Sequence, residues 1–248
     1  MFTKEKIRCE LIKQLSVDFN CNEEDFYSER NVLTIPALNE GRRMYSEKVN
    51  FFSMVTLGQN AIISADAKMH PFLKEYISDK QGIWLFEQDN IASVEKELSK
   101  YGEELWHSHH LFLPDTKPLK IKPGFQVKWF EENEIGQFYG DSRFPNAFCE
   151  KYEPGRPDVL GVCALIDGKM AGMAGCSADS RIMWQIGIDV MPSYRGNGIG
   201  TALVGLLKNE IFNRGAIPFY GTSLSNIYSQ NIAINCGFYP VWTEISTK

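Results

Sequence analysis

Long hydrophobic runs are missing from this chain. No stretch approaches the ~20 apolar residues that span a bilayer, and the opening residues 1–8, Met-Phe-Thr-Lys-Glu-Lys-Ile-Arg, lack the apolar core of a secretory signal. No membrane partner is expected, and the chain is read as cytoplasmic. Paired cysteine is missing too. The six cysteines, at 9, 21, 149, 163, 176 and 236, contain no Cys-x-x-Cys spacing, which argues against a zinc ligand set or a disulfide framework. Cys163 and Cys176 lie in apolar runs and are read as inert core residues. Histidine is absent after residue 110. The four are His70, His107, His109 and His110; the cluster of three has no cysteine or carboxylate set at metal-ligand spacing, so no metal is expected. Residues 111–248 must therefore do any acid–base chemistry without imidazole. Finally, there is no basic excess. The net charge is −5, with 16 basic and 19 acidic side chains in residues 1–124 and 10 and 12 in residues 125–248. Neither half has the positive surplus that binding a phosphate backbone needs, so nucleic acid is not an expected partner.

What is present is an ordinary globular composition: 248 residues, 44% hydrophobic and 23% charged, enough for one large domain or two small ones. Residues 3–20 place Ile7, Leu11, Ile12 and Leu15 on one helical face. Residues 49–55 and 61–64 read as strands, 68–78 as a helix with Pro71 in its first turn, 82–87 as a short strand, and 91–101 as a helix capped by Asn90 and stopped by Gly102. Residues 114–124 hold three prolines and three lysines, which favours an extended, solvated connection. The domain boundary is placed there, giving an N-terminal mixed α/β domain over 1–117 and a second domain over 118–248.

The second domain reads β-α-β-β-β-α-β-α-β. Its strands fall at 125–130, 159–166, 170–176, 183–190, 217–222 and 238–245, with helices from 131 to 139, from 198 to 214 and from 226. Asp167-Gly168 marks a hairpin. The organising stretch is 183–204. An apolar strand ends at Val190, Pro192 stops the ladder, and Arg195-Gly-Asn-Gly-Ile-Gly-Thr201 leads into a helix. A strand, a glycine-rich turn and a helix N-terminus in succession make an anion site, because free N–H groups and the positive end of the helix dipole converge. Two phosphate motifs fail against it. A Walker loop needs a lysine that is not there, and a dinucleotide fingerprint starting at Gly196 and Gly198 would need glycine where Thr201 stands.

The spacing that fits is Arg/Gln-x-x-Gly-x-Gly/Ala, filled by Arg195, Gly198 and Gly200. With Val190-x-Pro-x-Tyr-Arg-Gly-x-Gly-Ile-Gly, the amphipathic helix after it, and Ser225-Asn-x-x-Ser-x-x-x-Ala-x-x-x-Gly-Phe238, residues 125–248 resemble the GNAT superfamily of acyl-CoA-dependent N-acetyltransferases. The fold class is thus expected to be α/β, a mixed α+β sheet of GNAT type in the C-terminal half. The smaller first half is a candidate degenerate copy, although no internal repeat supports that.

The resemblance implies acetyl-CoA as cosubstrate, a primary amine on a small-molecule or amino-acid-like acceptor, and direct attack on the thioester. The backbone N–H groups of Gly196, Asn197, Gly198, Ile199 and Gly200, with Arg195 and Thr201 at the ends of the turn, are expected to hold the pyrophosphate. The strand ending at Val190 splays from its neighbour at 217, so that the backbone of Ile188 and Val190 binds pantetheine and the Val190 N–H polarises the thioester carbonyl. Asn226 and Ser229 match pantetheine-contacting positions, with helix capping as the other reading.

Two departures stand out. Where many relatives carry a general-acid tyrosine four residues before the Gly-Phe pair, this chain has Ala233; Tyr228 and Tyr239 are the nearby substitutes. Where many place a glutamate early in the strand, it has Trp184 and Gln185. Asp189 is then the only carboxylate on the strand, a candidate base or a solvent-facing residue. Those losses keep a second reading open, a non-catalytic acyl-CoA-binding module.

Overall fold

In the computed structural model, which describes residues 2–45, 47–106 and 108–248, the chain runs α1 (Lys4–Phe19), β1 (Val32–Thr34), β2 (Phe52–Thr56), β3 (Ala61–Ala65), α2 (His70–Tyr76), α3 (Gln88–Leu98), β4 (His109–Pro114), β5 (Gln126–Glu131), α4 (Glu132–Ile135), β6 (Asp158–Ile166), β7 (Lys169–Ala178), β8 (Met183–Val190), α5 (Ile199–Asn213), β9 (Ile217–Ser223), α6 (Ile227–Asn235) and β10 (Phe238–Ser246). Two compact units form. One holds Met1–Ile7, Arg43–Tyr45 and Phe112–Tyr239; the other holds Arg8–Arg42, Ser46–Leu111 and Pro240–Lys248. Among the described residues no helix is long and apolar enough to cross a membrane.

In the second of these units the strand order is β1-β3-β2-β10. β1 is parallel to β3, and β2 is antiparallel to β3 and to residues 243–246 of β10. Phe52, Met54 and Ile63 from the strands pack with Leu73 of α2 and Val94 and Leu98 of α3. The expected helical face of α1 is buried at Leu11, Ile12 and Leu15. One expectation fails. Gly82–Phe86 is a 3-10 helix, not a strand. A Cβ at Gly82 would lie 2.2 Å from the Asn60 carbonyl carbon, so this backbone sits on the start of β3, too close for a side chain. Asn90 lies within α3, which begins at Gln88, and does not cap it. His109 and His110 lie in β4; His107 falls outside the described residues.

In the other unit the order is β4-β9-β8-β7-β6-β5. β5, β6, β7 and β8 pair antiparallel, and β8 pairs parallel with β9. Asp167 and Gly168, at φ 50° and 73°, supply the two left-handed residues that a tight hairpin turn demands. Leu203, Val204, Leu207 and Ile211 recur at helical spacing along α5 and pack on Leu160, Val162, Ala174 and Ile186 of the sheet. On the opposite face Phe130, Phe138, Phe144, Phe148 and Met173 form a second cluster. The helix expected over 131–139 forms over 132–138 as α4 followed directly by a 3-10 turn, Gly136–Phe138, and Phe130 and Phe138 meet edge-to-face at 4.8 Å.

The 114–124 segment is irregular as expected but is docked along α5 instead of standing free in solvent. Asn209 of α5 bonds both the N–H and the carbonyl of Leu119, at 3.1 and 2.8 Å, and Ile121 fills the space above Gly205. Lys208 of α5 is fully buried. It donates to Asp115 at 2.5 Å and to the Cys236 carbonyl at 2.9 Å, tying three segments together. Asp115→Asn leaves that ammonium buried without its carboxylate and should lower stability by about 3 kcal/mol. Lys208→Met removes the buried charge and should cost less than half as much. Urea unfolding of the two variants checks this; equal losses would contradict it.

Candidate functional site

The site is organised by where β8 stops pairing. Its parallel ladder with β9 covers Met183↔Ile217, Trp184↔Pro218, Gln185↔Phe219 and Ile186↔Tyr220, and no pair follows, although β8 continues to Val190 and remains paired with β7 throughout. The Met191 N–H donates to the Ala171 carbonyl at 2.9 Å. By the alternation of an antiparallel strand, Asp189 and Gly187 also bond toward β7, so the N–H and C=O groups of Ile188 and Val190 face the opening beside β9. The Val190 carbonyl accepts from Arg195 Nε at 3.0 Å. The side chains of Ile188 and Val190 pack against the α5 core.

The turn follows at once. Gly196 and Gly198 have φ of 82° and 72°, a region in which a Cβ is strained; this fold in the backbone aims successive N–H groups the same way. Asn197 staples the turn by donating to the Tyr194 and Arg195 carbonyls. The first bond of α5 runs from the Ala202 N–H to Gly198. Among the described residues none of the N–H groups of residues 196–201 has a protein acceptor. Ile199 and Gly200 are buried as α5 begins, and a Cβ on Gly200 would press Ile232 of α6 at 2.9 Å. A row of unsatisfied donors at a helix N-terminus fits a pyrophosphate, and the adjoining strand edge fits an amide-bearing arm.

The other face of β8 carries a glycine stripe. Gly161, Gly175 and Gly187 are in register across β6, β7 and β8. Cβ atoms there would strike Phe148 at 2.6 Å, the Ala147 carbonyl at 2.2 Å and the Asn146 carbonyl at 1.8 Å. The 146–148 backbone therefore lies directly on the sheet. Asp189 fixes it: its carboxylate accepts from the Asn146 N–H at 2.7 Å, the Ala147 N–H at 2.9 Å and Asn146 Nδ2 at 2.6 Å. All three donors belong to this loop, so Asp189, read from the sequence as a candidate base or a solvent-facing residue, anchors residues 146–147 on β8.

The predicted side chains gather unevenly. Asn226 caps α6 by accepting from the Ser229 N–H at 3.1 Å, the capping arrangement expected as its other reading. Ser229 Oγ shares a hydrogen bond of 2.8 Å with Tyr220 Oη. Tyr228 is 87% exposed. Tyr239 lies on β10 with the Lys4 ammonium 5.1 Å from its ring centroid. Sequence reasoning passed over Tyr220, the β9 residue opposite Ile186 at the last pair before the splay; burial pushes its phenol up to about 12, so it stays protonated. It also passed over Asn146. The signal for the latter was three glycines inside strands, a mark of close backbone approach.

Beyond the loop, two acids are buried at the β6–β7 end. Burial pushes the Asp158 carboxyl up to about 6, against the opposing effects of the Cys149 N–H at 2.9 Å and of Arg156. Burial also raises Asp179, opposed by hydrogen bonds from Ser177 and Tyr45. Among the described residues no group of three His, Cys, Asp or Glu could hold a metal ion.

Comparison with known proteins gives the class. Residues 125–238 match the family model Acetyltransferase (GNAT) family. No curated relative matches the chain. A GCN5-related N-acetyltransferase-like protein from Streptococcus suis shares its fold over 97% of this chain and 99% of that one, at 15% identity and a TM-score of 0.52. A structure from Novosphingobium aromaticivorans assigned to the GNAT family aligns over 58% of this chain and 64% of that one, at 15% identity and a TM-score of 0.47. A Salmonella typhimurium protein solved with its cofactor acetyl-CoA aligns over 50% and 92%, at 14% identity and 0.37. Residues 125–238 therefore match a GNAT-family acetyltransferase domain.

Asp158 gives this site a pH signature. Its folded pKa lies above the unfolded value of about 3.9, so the folded state binds the extra proton between roughly pH 4 and 6. The stability it contributes is full below that window and is lost as pH rises through about 6. Asp158→Asn keeps an oxygen for the Cys149 N–H. Its melting temperature should exceed wild type by a few degrees at pH 7.5 and equal it near pH 4; a gap of the same size at both would contradict this.

Proposed function

We propose that the protein transfers the acetyl group of acetyl-CoA to the primary amine of a small-molecule or amino-acid-like acceptor, by direct attack on the thioester. The observation that carries this is the continuity of the unpaired β8 edge with the donor-rich turn. Two stretches of unsatisfied backbone, one strand-like and one anion-binding, follow each other in the order that an acylated pantetheine arm and its pyrophosphate require. In this reading the N–H groups of residues 196–201 hold the pyrophosphate, aided by the α5 dipole at perhaps 0.3–2 kcal/mol. The Ile188 and Val190 edge holds the arm, and the Val190 N–H polarises the thioester carbonyl. Asn226 and Ser229 border the arm from α6.

The acceptor has one open approach. α5 covers the Ile188 and Val190 side chains, so an amine reaches the thioester from the face that carries the 140–157 loop. For an amine of pKa ~10, deprotonation at pH 7 costs about 4 kcal/mol. With its three donors, Asp189 serves this reading by holding the loop beside the reacting edge, and solvent takes the amine proton. The departing thiolate receives a proton from the hydroxyls on the α6 side, where Tyr220 and Ser229 are paired and Tyr228 is adjacent, with Tyr239 following on β10. Six free thiols support a cytoplasmic setting; recovery outside the cytoplasmic fraction of a lysate would contradict that.

Acetyl-CoA should raise the melting temperature of the protein and, with a panel of amines, release free thiol. Gly198→Glu places a side chain and a negative charge in the cradle and should abolish both effects. Among Tyr220→Phe, Tyr228→Phe and Tyr239→Phe, the proton donor is the variant that loses turnover yet keeps the acetyl-CoA stabilisation. No thiol release with any amine, or full stabilisation of Gly198→Glu by acetyl-CoA, would overturn the proposal.

A further inference from the structure

The matched domain is completed by residues from far upstream. Arg43–Tyr45 belongs to the same compact unit as residues 112–239, although some eighty residues of chain separate it from the match. Met44 lies against the 140–157 loop, where a Cβ on Gly155 would come within 2.8 Å of Met44 Cβ. Tyr45 donates its hydroxyl to Asp179 Oδ2 at 2.8 Å, and Ser177 donates to Asp179 Oδ1 at 2.6 Å. Asp179 is 1% exposed, so those two hydroxyls stand in for water around its carboxylate. The guanidinium carbons of Arg43 and Arg156 lie 5.7 and 5.4 Å from the Tyr45 ring centroid, within cation–π range.

Arg156 ends the loop, and Pro157 next to it accepts from the Ala178 N–H at 2.8 Å. The loop is thus fastened at two places. Asp189 holds residues 146–147 on β8, while Tyr45, bound to Asp179 at the end of β7, holds Arg156. Between them the chain carries Glu150, Lys151, Tyr152 and Glu153, of which the first three are exposed.

We propose that Tyr45 is a specificity-determining positioning residue, which through Asp179 and Arg156 sets where residues 149–157 stand and so how the amine acceptor is bound. This rests on the acceptor reading above. It makes residues 43–45 a working part of the transferase domain, so residues 125–238 alone would bind the acyl donor and handle the acceptor poorly.

The test compares full-length wild type, Tyr45→Phe and Tyr45→Ala. Tyr45→Phe keeps the ring for Arg156 and removes only the bond to Asp179; Tyr45→Ala removes both. With acetyl-CoA and the amine that wild type turns over best, the KM for the amine should rise about fivefold in Tyr45→Phe and further in Tyr45→Ala. The KM for acetyl-CoA should stay within about twofold, and kcat should change less than the amine KM. Tryptic cleavage after Lys151 should quicken in the same order. An unchanged amine KM in both variants overturns the proposal. So does a parallel loss in both KM values with a lowered melting temperature, which marks general destabilisation. If wild type acetylates no amine, the acceptor reading fails on its own; unchanged cleavage rates would then also overturn the role given to Tyr45.

Discussion

The structure turns on an incomplete strand pairing. β8 and β9 share four registered pairs and then part at Ile186 and Tyr220. Backbone N–H and C=O groups left without partners inside a protein carry a free-energy penalty comparable to a lost hydrogen bond. In the proposed reading the edge left open at Ile188 and at the Val190 N–H is completed by the ligand. The turn after β8 repeats the same condition with donors alone, in residues 196–201. Binding through backbone, as proposed, suits a chain of net charge −5.

Everything around that edge keeps it open and bounded. On one side α5 packs Leu203, Val204 and Leu207 under the sheet and sets its N-terminus at the turn. On the other, three strand glycines in register bring the 146–148 backbone down onto β8, and Asp189 fastens it with three hydrogen bonds. The buried Lys208 joins α5, the 114–124 segment and the end of α6. Strand edge, turn and the 140–157 loop are therefore held by separate fastenings within one compact unit.

The turn was legible in the sequence because its chemistry is local: a proline to end the ladder, glycines for left-handed backbone, a helix to follow. The Asp167-Gly168 hairpin was legible for the same reason. What escaped was non-local. Asp189 meets donors 43 residues away, and Tyr45 meets an acid 134 residues away; no periodicity reports such pairs. Residues 82–87 were misread because a short apolar run does not distinguish a strand from a 3-10 turn, and contact with the Asn60 backbone decided it. β1 has only three residues, and β4 was hidden between its histidines and Pro114.

The most direct measurement is amide hydrogen exchange in the presence and absence of CoA. If the β8 edge and the turn bind the ligand through their N–H groups, exchange should slow at Ile188, Val190 and residues 196–201. The amides of Gly187 and Asp189, already bonded to β7, should change little. Protection confined to α6 or to the loop, with Ile188, Val190 and the turn exchanging as before, would contradict the backbone-binding site.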